Sequence, residues 1–549
     1  MNHAKYRQFP VFRLQDRTWP NRQIISAPVW CSVDLRDGNQ ALVNPMSLEQ
    51  KLDFFKLLVD IGFKHIEVGF PAASDTEYKF MRALIERGLI PDDVVVQVLT
   101  QARENIIRRT FESLEGVKKA IVHLYNSTSV LQRDVVFGKD QDSIKKIATD
   151  GARLLLKLGE EYGRQRFMFE YSPESFTGTE MDYAAEICNA VIDVWQPTGN
   201  SKVIINLPST VEMATPNVYA DQIEYMSRSL VSRENVILSL HAHNDRGTGV
   251  AATELAMLAG ADRVEGTLFG NGERTGNADI LNLAMNLYSQ GIDPGLDFSH
   301  IDDIIEIYED YTGMFVHPRH PYAGELVFTA FSGSHQDAIN KGMARIPEHP
   351  DRWEVPYLPI DPADLGRDYN SIVRVNSQSG KGGVAFVLEK DYGLHIPKAM
   401  QKDFGPAVKH LSDSRGTELM PAEIYDLFDK TYINITDPVR LLHYEETTGT
   451  DFYVNAVIEI DGVEKEIAGH GNGIMSAFCE GLYYALDVRF DIINYSEHSM
   501  EYGSKSRAIT YLQIDDPAGR HYFGAGVSSS ISKSSLLAIV SAVNRMLSA

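Results

Sequence analysis

The chain has 549 residues, of which 52 are basic and 75 acidic, so its formal net charge is −23 at pH 7. This length exceeds what one ordinary core supports and predicts several domains. The acidic balance argues against nucleic-acid or acidic-membrane partners, because both need a basic protein face. No run approaches the ~20 consecutive apolar residues that a membrane span requires, so we expect no membrane anchor.

The three cysteines, Cys31, Cys188 and Cys479, lie far apart and form no CxxC pair. We therefore expect neither a disulfide framework nor a cysteine-zinc site, and the pattern favours a reducing, cytoplasmic location. Residues 1–28 lack an apolar core after their basic residues, which excludes a secretory signal. We interpret 1–28 as an ordered N-terminal extension, and its basic, acid-poor composition leaves an organelle transit peptide as the alternative.

Eight apolar, β-rich runs follow in chain order, separated by amphipathic stretches such as SLEQKLDFFKLLVDIG and GVAATELAMLAGA. The runs are VWCSVDLRDGN (29–39), HIEVGF (65–70), VVVQVLT (94–100), AIVHLYN (120–126), RFMFEYS (166–172), VIINLPS (203–209), VILSLHAHN (236–244) and RVEGTLFGN (263–271). This alternation predicts an α/β fold, a (β/α)8 TIM barrel over residues 29–310. A dinucleotide-binding sheet is disfavoured, because no GxGxxG follows the first run.

The pattern changes after the predicted barrel. Residues 311–365 are rich in Pro, His and Gly, and the whole region 311–436 is interpreted as a linker with small helical subdomains. Residues 437–549 are predicted to form an α+β domain: a strand in DFYVNAVIEIDG, a helix in IMSAFCEGLYYALDV, a hairpin around DDPAG and a closing amphipathic helix. This last domain carries no evident catalytic cluster, which favours a regulatory or assembly role.

The stretch HAHNDRG places two histidines, His241 and His243, at the end of the seventh run. Side chains two apart on a strand point to the same side, so both imidazoles are expected to face one way. In TIM barrels the active site lies at the carboxyl ends of the strands. A same-face histidine pair at that edge favours metal binding over a structural role.

Further ligands are available at the ends of two neighbouring runs. The first run ends in DLRDGNQ, which offers Asp34, Arg36 and Asp37, and the eighth ends in LFGNGERTGN, which offers Asn271, Glu273 and Asn277. Imidazoles with a carboxylate and an amide oxygen suit a divalent ion such as Mg²⁺, Mn²⁺ or Zn²⁺. The alternatives are a helix N-cap for DLRDGNQ and an anion-binding glycine loop for GNGERTGN.

Other predicted strands also end in polar side chains, among them Glu67, His123, Ser172, Glu174 and Thr210. Such a lining suits a substrate rich in carbonyl and carboxylate oxygens. Arg36 can pair with a carboxylate, and a metal can polarise an adjacent carbonyl as a Lewis acid. Neither a GxSxG elbow nor a P-loop is present, which disfavours triad hydrolases and kinases.

Together, DLRDGNQ, HLYNSTS, EYSPESFTGTE, LPSTVEMATPNVYAD, HAHNDRG and LFGNGERTGN resemble the 2-isopropylmalate and homocitrate synthase family, with its HMG-CoA-lyase-like TIM barrel. The resemblance extends through FSGSHQDAI (331–339) and VNSQSGKGG (375–383) to a C-terminal region, 437–549, similar to a leucine-sensing domain. It implies condensation of acetyl-CoA with 3-methyl-2-oxobutanoate to 2-isopropylmalate and CoA, the first committed step of leucine synthesis. It also implies a homodimer and feedback inhibition by leucine.

The resemblance assigns roles residue by residue. It implies a divalent metal, with Mg²⁺ first and Mn²⁺ or Zn²⁺ as alternatives, held by Asp37, His241, His243 and Asn277. It implies a ketoacid pocket made by Arg36, His123, Ser172 and Thr210. The catalytic group comprises Arg36, which steadies the developing alkoxide, and the acid/base candidates Glu174, His335 and Tyr369. His335 lies outside the barrel strands, and we expect it to be delivered over the barrel mouth, from its own chain or from a dimer partner.

Some alternatives stay open at this stage. A homocitrate or citramalate synthase would use the same chemistry with a different ketoacid pocket, and an HMG-CoA-lyase-type enzyme would cleave the same kind of bond. The lyase does not call for a C-terminal sensing domain. The regulatory region reads GHGNGIMSAF and EHSMEYGSKSRA, which depart from the family pattern. These departures bear on the strength of leucine inhibition and leave the catalytic assignment unchanged.

Overall fold

The computed structural model describes residues 2–10, 12–329, 333–348, 352–369, 381–415, 419–448, 452–500 and 506–549. The chain forms two compact units. One comprises Met1–Gly324 and Leu358–Arg367, and the other comprises Glu325–Tyr357 and Asp368–Ala549. The motifs VNSQSGKGG, FSGSHQDAI and EHSMEYGSKSRA fall partly outside the described residues. Among the described helices, none combines the length and apolar content needed to cross a bilayer.

The first unit contains the predicted TIM barrel. Its strands are Val29–Ser32 (β1), His65–Gly69 (β2), Val95–Gln101 (β3), Ala120–Ser127 (β4), Phe167–Glu174 (β5), Val203–Ser209 (β6), Val236–Ala242 (β7) and Arg263–Gly266 (β8). Each strand pairs in parallel with the next, and β8 pairs with β1, so the sheet is closed. The predicted fold class is therefore confirmed.

Helices surround this sheet. They are Leu48–Ile61 (α1), Asp75–Glu86 (α2), Glu104–Ser113 (α3), Gln141–Tyr162 (α4), Met181–Trp195 (α5), Pro216–Ser229 (α6), Gly249–Leu258 (α7), Ile280–Tyr288 (α8) and Ile301–Thr312 (α9). Helix α1 shows how local sequence sets the bounds: Ser47 and Gln50 form a capping box at its start. At its end, Gly62 adopts φ 114°, a left-handed conformation that favours glycine.

The first and last strands are shorter than their apolar runs predicted. After β1 the chain forms a tight π-helical turn over Asp34–Gly38, and after β8 a single 3-10 turn over Leu268–Gly270. The two turns are joined, because the backbone N–H of Leu268 donates to the Asp34 carboxylate at 3.0 Å. The turns replace strand pairing at this end of the barrel and bring polar side chains of both segments together.

The N-terminal extension contacts helix α6. The Trp19 indole donates to Asp221 at 2.7 Å, and the backbone N–H of Thr18 donates to Glu224 at 2.9 Å. Both carboxylates lie in α6 and are almost fully buried. Trp19 and Thr18 of the extension are thus anchored by buried hydrogen bonds.

The second unit begins with helices Gly333–Arg345 (α10), Lys381–Tyr392 (α11), Lys398–Arg415 (α12) and Pro421–Tyr432 (α13). Its α+β part contains strands Val439–Thr448 (β9), Phe452–Ile460 (β10), Val463–Gly471 (β11), Asp491–Ser499 (β12), Ala508–Asp515 (β13) and His521–Ser528 (β14), with helices Ile474–Leu486 (α14) and Ile531–Leu547 (α15). The strands form two three-stranded antiparallel sheets, ordered β11-β10-β9 and β12-β13-β14.

The predicted hairpin around DDPAG is present as β13 and β14. The prediction missed β9, β11 and β12, so the sequence-based description of this region as strand, helix, hairpin and helix was incomplete. The reason is exposure: most side chains of β11 and β12 face solvent and carry no alternating apolar signal. Helices α14 and α15 contribute Phe478, Leu482 and Ile539 to a common core with Val454 and Ile458 of β10.

Candidate metal centre and active-site cavity

Asp37, His241 and His243 form a compact cluster at the carboxyl end of the barrel. Asp37 Oδ2 lies 3.3 Å from His241 Nε2 and 3.5 Å from His243 Nε2. The two imidazole rings are stacked with centroids 5.3 Å apart, as the same-face spacing predicted. All three side chains are buried. Barrel closure brings Asp37 of the turn after β1 to the histidines that end β7.

The donor set fits a divalent cation. One ligand atom from each of the three residues lies within 4.8 Å of the others. Separations of 3.3 and 3.5 Å are close to the roughly 3 Å expected between adjacent ligands whose bonds to one ion are about 2.1 Å long. The donors are nitrogen and oxygen without sulfur, which suits Mg²⁺, Mn²⁺ or Zn²⁺.

Asn277 lies next to this cluster. It forms an isolated β-bridge with His243, and its amide nitrogen donates to the carbonyl of Asn271 at 2.9 Å. Within the described residues, its amide oxygen is buried and accepts no hydrogen bond. A buried acceptor without a donor is costly in a folded protein, so this oxygen is available to a ligand or water. Asn277 is fully buried and is not among the residues that line the neighbouring cavity.

The surrounding charges shift the pKa values of the cluster. Burial raises the pKa of Asp37, but the Arg36 cation and the two histidines outweigh it, so the net shift is downward. Burial lowers the pKa of His241, but hydrogen bonds to Asp37 and Glu265 raise it to about 9. Burial and the neighbouring His241 cation lower the pKa of His243 to about 4. The carboxylate therefore stays ionised beside the two imidazoles.

Arg36 is held by two carboxylates of the protein. Its Nε and Nη2 donate to the two oxygens of Glu67, each at 3.1 Å, and Nη1 donates to Asp37 at 3.0 Å. Burial lowers the pKa of Arg36, but Glu67 and Asp37 raise it above the ordinary value. Arg36 thus forms a bidentate pair with a carboxylate of the protein, Glu67. Three of its five N–H groups are used in these bonds, which leaves one on each terminal nitrogen for a ligand.

A cavity of about 180 Å³ opens beside the cluster. It brings together most of the barrel residues that the sequence singled out. The lining comprises Arg36, Asp37, Gln40, Leu99, His123, Tyr125, Ser172, Glu174, Asn206, Pro208, Thr210, His241, His243, Glu273 and Arg274. The strand-end side chains therefore converge on one space, whose lining residues are mostly polar or charged, with Leu99 and Pro208 as the apolar exceptions.

Hydrogen bonds fix the polar walls of the cavity. His123 Nε2 lies 2.7 Å from the Ser172 hydroxyl, which also accepts from Asn206 at 3.0 Å. The Thr210 hydroxyl accepts from the backbone N–H of Ser175 at 2.9 Å. The Glu174 carboxylate accepts a short hydrogen bond from Ser127. Each of these side chains is held by the protein before any ligand binds.

The remaining two predicted site residues lie in the second unit. His335 is exposed in α10, and its ring stacks on Tyr357 with centroids 4.1 Å apart. Tyr369 is partly buried, and burial raises the pKa of its phenol. The barrel cavity itself is lined by residues of the first unit.

Sequence reasoning missed a buried polar network beneath the cavity. Arg263 is fully buried and donates to Glu265 at 2.8 Å, to Ser239 at 2.8 Å and to Gln97 at 2.6 Å. Glu170 lies 3.5 Å from the same Arg263 nitrogen. The available signal was a single polar residue inside an otherwise apolar run, as in VVVQVLT and RFMFEYS.

Family profiles match most of the chain. The HMGL-like profile covers residues 27–307. The profile of the α-isopropylmalate synthase post-catalytic domain covers 325–389. That of the LeuA allosteric (dimerisation) domain covers 418–547.

Several relatives match over nearly the full length. A 2-isopropylmalate synthase of Acetoanaerobium sticklandii is 61% identical, covering 100% of this chain and 97% of the relative. The 2-isopropylmalate synthases of Clostridium acetobutylicum and Agrobacterium fabrum are 56% and 54% identical, each over 99% of this chain, with 99% and 98% of the relatives covered.

Two solved structures of hydroxymethylglutaryl-CoA lyases match about half of the chain. The enzyme of Pseudomonas aeruginosa is 18% identical with a TM-score of 0.44, over 54% of this chain and 96% of its own. The enzyme of Brucella melitensis is 15% identical with a TM-score of 0.42, over 53% of this chain and 100% of its own.

Proposed function

Because the chain belongs to the 2-isopropylmalate synthase family, we propose that it joins acetyl-CoA to 3-methyl-2-oxobutanoate. The methyl carbon of acetyl-CoA loses a proton and bonds to the ketone carbon, and the ketone oxygen becomes a hydroxyl. Water then hydrolyses the thioester, giving 2-isopropylmalate and CoA, the first committed step of leucine synthesis. The observation that carries the proposal is the convergence of Asp37, His241 and His243 with the polar strand ends on one cavity.

The proposed metal ligands are Asp37, His241, His243 and the amide oxygen of Asn277, with Mg²⁺ as the expected ion and Mn²⁺ or Zn²⁺ as alternatives. A divalent ion bound there would supply Lewis-acid polarisation of the ketone. Arg36 is proposed to stabilise the negative charge that develops on the ketone oxygen. Its cation is pre-oriented by Glu67 and Asp37, so little reorganisation accompanies the reaction, which is the condition under which electrostatic stabilisation is most effective.

The proposed ketoacid pocket consists of Arg36, His123, Ser172 and Thr210. Its donors and acceptors are already hydrogen-bonded and oriented, which favours a substrate that offers oxygens at matching positions. The short isopropyl group of 3-methyl-2-oxobutanoate is compatible with the small volume of the cavity and with Leu99 and Pro208 in its wall.

Three side chains are proposed as acid/base candidates for the proton-transfer steps. Glu174 lines the cavity and accepts from Ser127, which orients its carboxylate. His335 and Tyr369 belong to the second unit. Histidine exchanges protons near neutral pH without a large shift of its pKa, so His335 is the proposed base for the acetyl-CoA methyl group. Each candidate is tested by its own substitution: a proton-transfer role predicts a lower kcat with unchanged metal affinity.

We also propose a homodimer that is inhibited by leucine, supported by the match of residues 418–547 to a LeuA allosteric (dimerisation) domain. A cytoplasmic location belongs to the same proposal, and the buried free thiols of Cys31, Cys188 and Cys479 agree with a reducing compartment. Leucine added to the turnover assay is expected to lower the rate, and sedimentation is expected to give twice the chain mass.

The deciding experiment measures release of CoA thiol by purified protein. Metal-stripped protein supplied with Mg²⁺ or Mn²⁺ is expected to release thiol from acetyl-CoA only when 3-methyl-2-oxobutanoate is present. His241→Ala is expected to abolish turnover and to retain the fold. Equal or greater turnover with pyruvate or 2-oxoglutarate would assign a citramalate or homocitrate synthase instead, and undiminished activity of His241→Ala would overturn the metal assignment.

A further inference from the structure

Glu265 contacts His241 on the side opposite the metal-facing nitrogen. The two residues are register partners on β8 and β7, and His241 Nδ1 lies 2.7 Å from Glu265 Oε2. A carboxylate accepts hydrogen bonds, so Nδ1 carries the proton and donates it. With Nδ1 committed to Glu265, the nitrogen left to ligate a cation is Nε2, which faces Asp37 Oδ2 at 3.3 Å.

The Glu265 carboxylate is itself fixed by three further donors. Its Oε2 also accepts from Asn206 at 3.1 Å. Its Oε1 accepts from Gln97 at 2.9 Å and from Arg263 at 2.8 Å. Glu265 is fully buried, so water cannot replace these partners without opening the barrel. Both oxygens are used as acceptors, and the side chain has one possible orientation.

The same donors reach the proposed ketoacid pocket. The Asn206 amide nitrogen that donates to Glu265 also donates to the Ser172 hydroxyl at 3.0 Å. The Gln97 amide nitrogen that donates to Glu265 lies 3.3 Å from His123 Nδ1. One carboxylate therefore connects the metal-facing histidine with two pocket side chains through single intervening amides.

We propose that Glu265 is the positioning residue of the metal centre: it holds His241 in the tautomer that presents Nε2 to the cation, and it ties that histidine to the ketoacid pocket. This inference rests on the proposed function, because it assumes that His241 ligates a metal. Carboxylates in this arrangement fix the ring and raise ligand basicity, and their loss typically weakens metal binding 10–100-fold.

Replacement of Glu265 by glutamine tests the acceptor role at nearly constant volume. A glutamine offers one acceptor oxygen and one NH₂ donor, whereas all four partners of Glu265 donate to it. Either His241 or the Gln97–Arg263 pair must then face a donor. Both arrangements leave His241 less firmly held in its metal-binding tautomer.

Glu170 supplies a matched control. Like Glu265 it is fully buried in the barrel, and it lies 3.5 Å from Arg263 Nη1 and 3.5 Å from His123 Nε2. Its described contacts include Glu265 itself but not His241. Glu170→Gln therefore perturbs the same buried network without touching the metal-facing histidine, and it separates general disturbance of the barrel interior from loss of the His241 contact.

The experiment titrates the metal-free full-length protein with Mn²⁺ and follows free Mn²⁺ by electron paramagnetic resonance. Glu265→Gln is expected to raise the Mn²⁺ Kd 10–100-fold, and Glu170→Gln to leave it within about threefold of wild type. Glu265→Asp keeps the charge beside Arg263 but shortens the reach to His241, so an intermediate Kd is expected. It also provides the measurement if Glu265→Gln does not fold. Melting temperatures identify the folded variants.

A folded Glu265 variant with wild-type Mn²⁺ affinity would overturn the inference, as would an equal loss in Glu170→Gln. His241→Ala in the same titration separates this failure from failure of the proposed function. If His241→Ala binds Mn²⁺ like wild type, the metal assignment is wrong and Glu265 positions no ligand. If only His241→Ala loses affinity, the metal assignment stands and the role of Glu265 is refuted.

Discussion

Removal of Arg36 should lower the stability of the barrel, because it leaves a buried carboxylate without its cation. Its partner Glu67 is fully buried, and both Glu67 oxygens accept from Arg36 at 3.1 Å. In Arg36→Met the Glu67 carboxylate would lose both of these donors and would keep the imidazole of His123 as a neighbour, at 3.5 Å. Breaking a buried pair by removing one member typically costs about 3–5 kcal/mol. At roughly 2–4 °C per kcal/mol for a domain of this size, the barrel should melt roughly 6–20 °C lower.

The double variant Arg36→Met/Glu67→Gln separates stability from catalysis. Replacing both members removes the uncompensated Glu67 charge, and Asp37 keeps its contacts with His241 and His243, so most of the lost melting temperature should return. Turnover should not return, because loss of one charge-stabilising donor commonly costs 10²–10³ in kcat. The assay is thermal unfolding at one scan rate, with CoA thiol release measured on the same preparations.

Two results would refute this reasoning. A melting temperature of Arg36→Met within 2 °C of wild type would mean that the buried pair contributes no net stability, a threshold set below the roughly 6 °C lower bound. If the double variant has the same melting temperature as Arg36→Met, the destabilisation arises from packing rather than from the unpaired Glu67. Full activity in either variant would remove Arg36 from the proposed mechanism.

Three further predictions concern other parts of the chain. Burial raises the pKa of Asp34 from 3.8 to about 7, so the folded state binds this proton more tightly than the unfolded chain. The stability that the bound proton contributes at low pH is lost as pH rises through about 7. The melting temperature of Asp34→Asn should therefore fall less than that of wild type between pH 5 and pH 8. Gly526→Ala should destabilise the C-terminal unit by about 1–3 kcal/mol or more, because the added Cβ would lie 1.9 Å from the Ser534 carbonyl oxygen. The Cβ added in the control Gly473→Ala meets nothing within 4 Å. Limited proteolysis should therefore cleave Gly526→Ala faster than wild type and Gly473→Ala at the wild-type rate. His335→Ala should lower kcat at least about tenfold with unchanged Mn²⁺ affinity and barrel melting temperature, since the side chain is exposed in the second unit; unchanged kcat would remove it as the base.

The barrel could be predicted because its signal is repeated and strong. Each buried parallel strand reads as a short apolar run, and each covering helix shows helical spacing, so the alternation itself indicates the fold. Closure of the sheet then explains why Asp37 meets residues more than 200 positions later, His241 and His243. Strands β11 and β12 of the C-terminal region gave no such signal, because their side chains are largely exposed.

The site was predictable only at its rim. Polar residues at strand ends, such as His123 and Thr210, stand out because loops and strand ends at one edge of a barrel share one space. Glu170 and Arg263 do not stand out, because a lone polar residue in an apolar run is uninformative until its partner is known. Those partners come from other strands, and only the closed barrel brings Arg263 of β8 beside Gln97 of β3.

The buried network explains why the centre of this barrel is polar at all. A close-packed apolar interior would be at least as stable, since buried ion pairs rarely improve stability over apolar residues of similar volume. Here, however, Glu67 orients Arg36 and Glu265 orients His241, and each carboxylate is fully buried. Side chains fixed from below in this way do not need to reorganise when charge develops in the cavity above them, and such preorganisation is the main source of electrostatic catalysis. On the proposed function, the polar interior is therefore the rigid support of the reacting groups rather than a contribution to the stability of the fold.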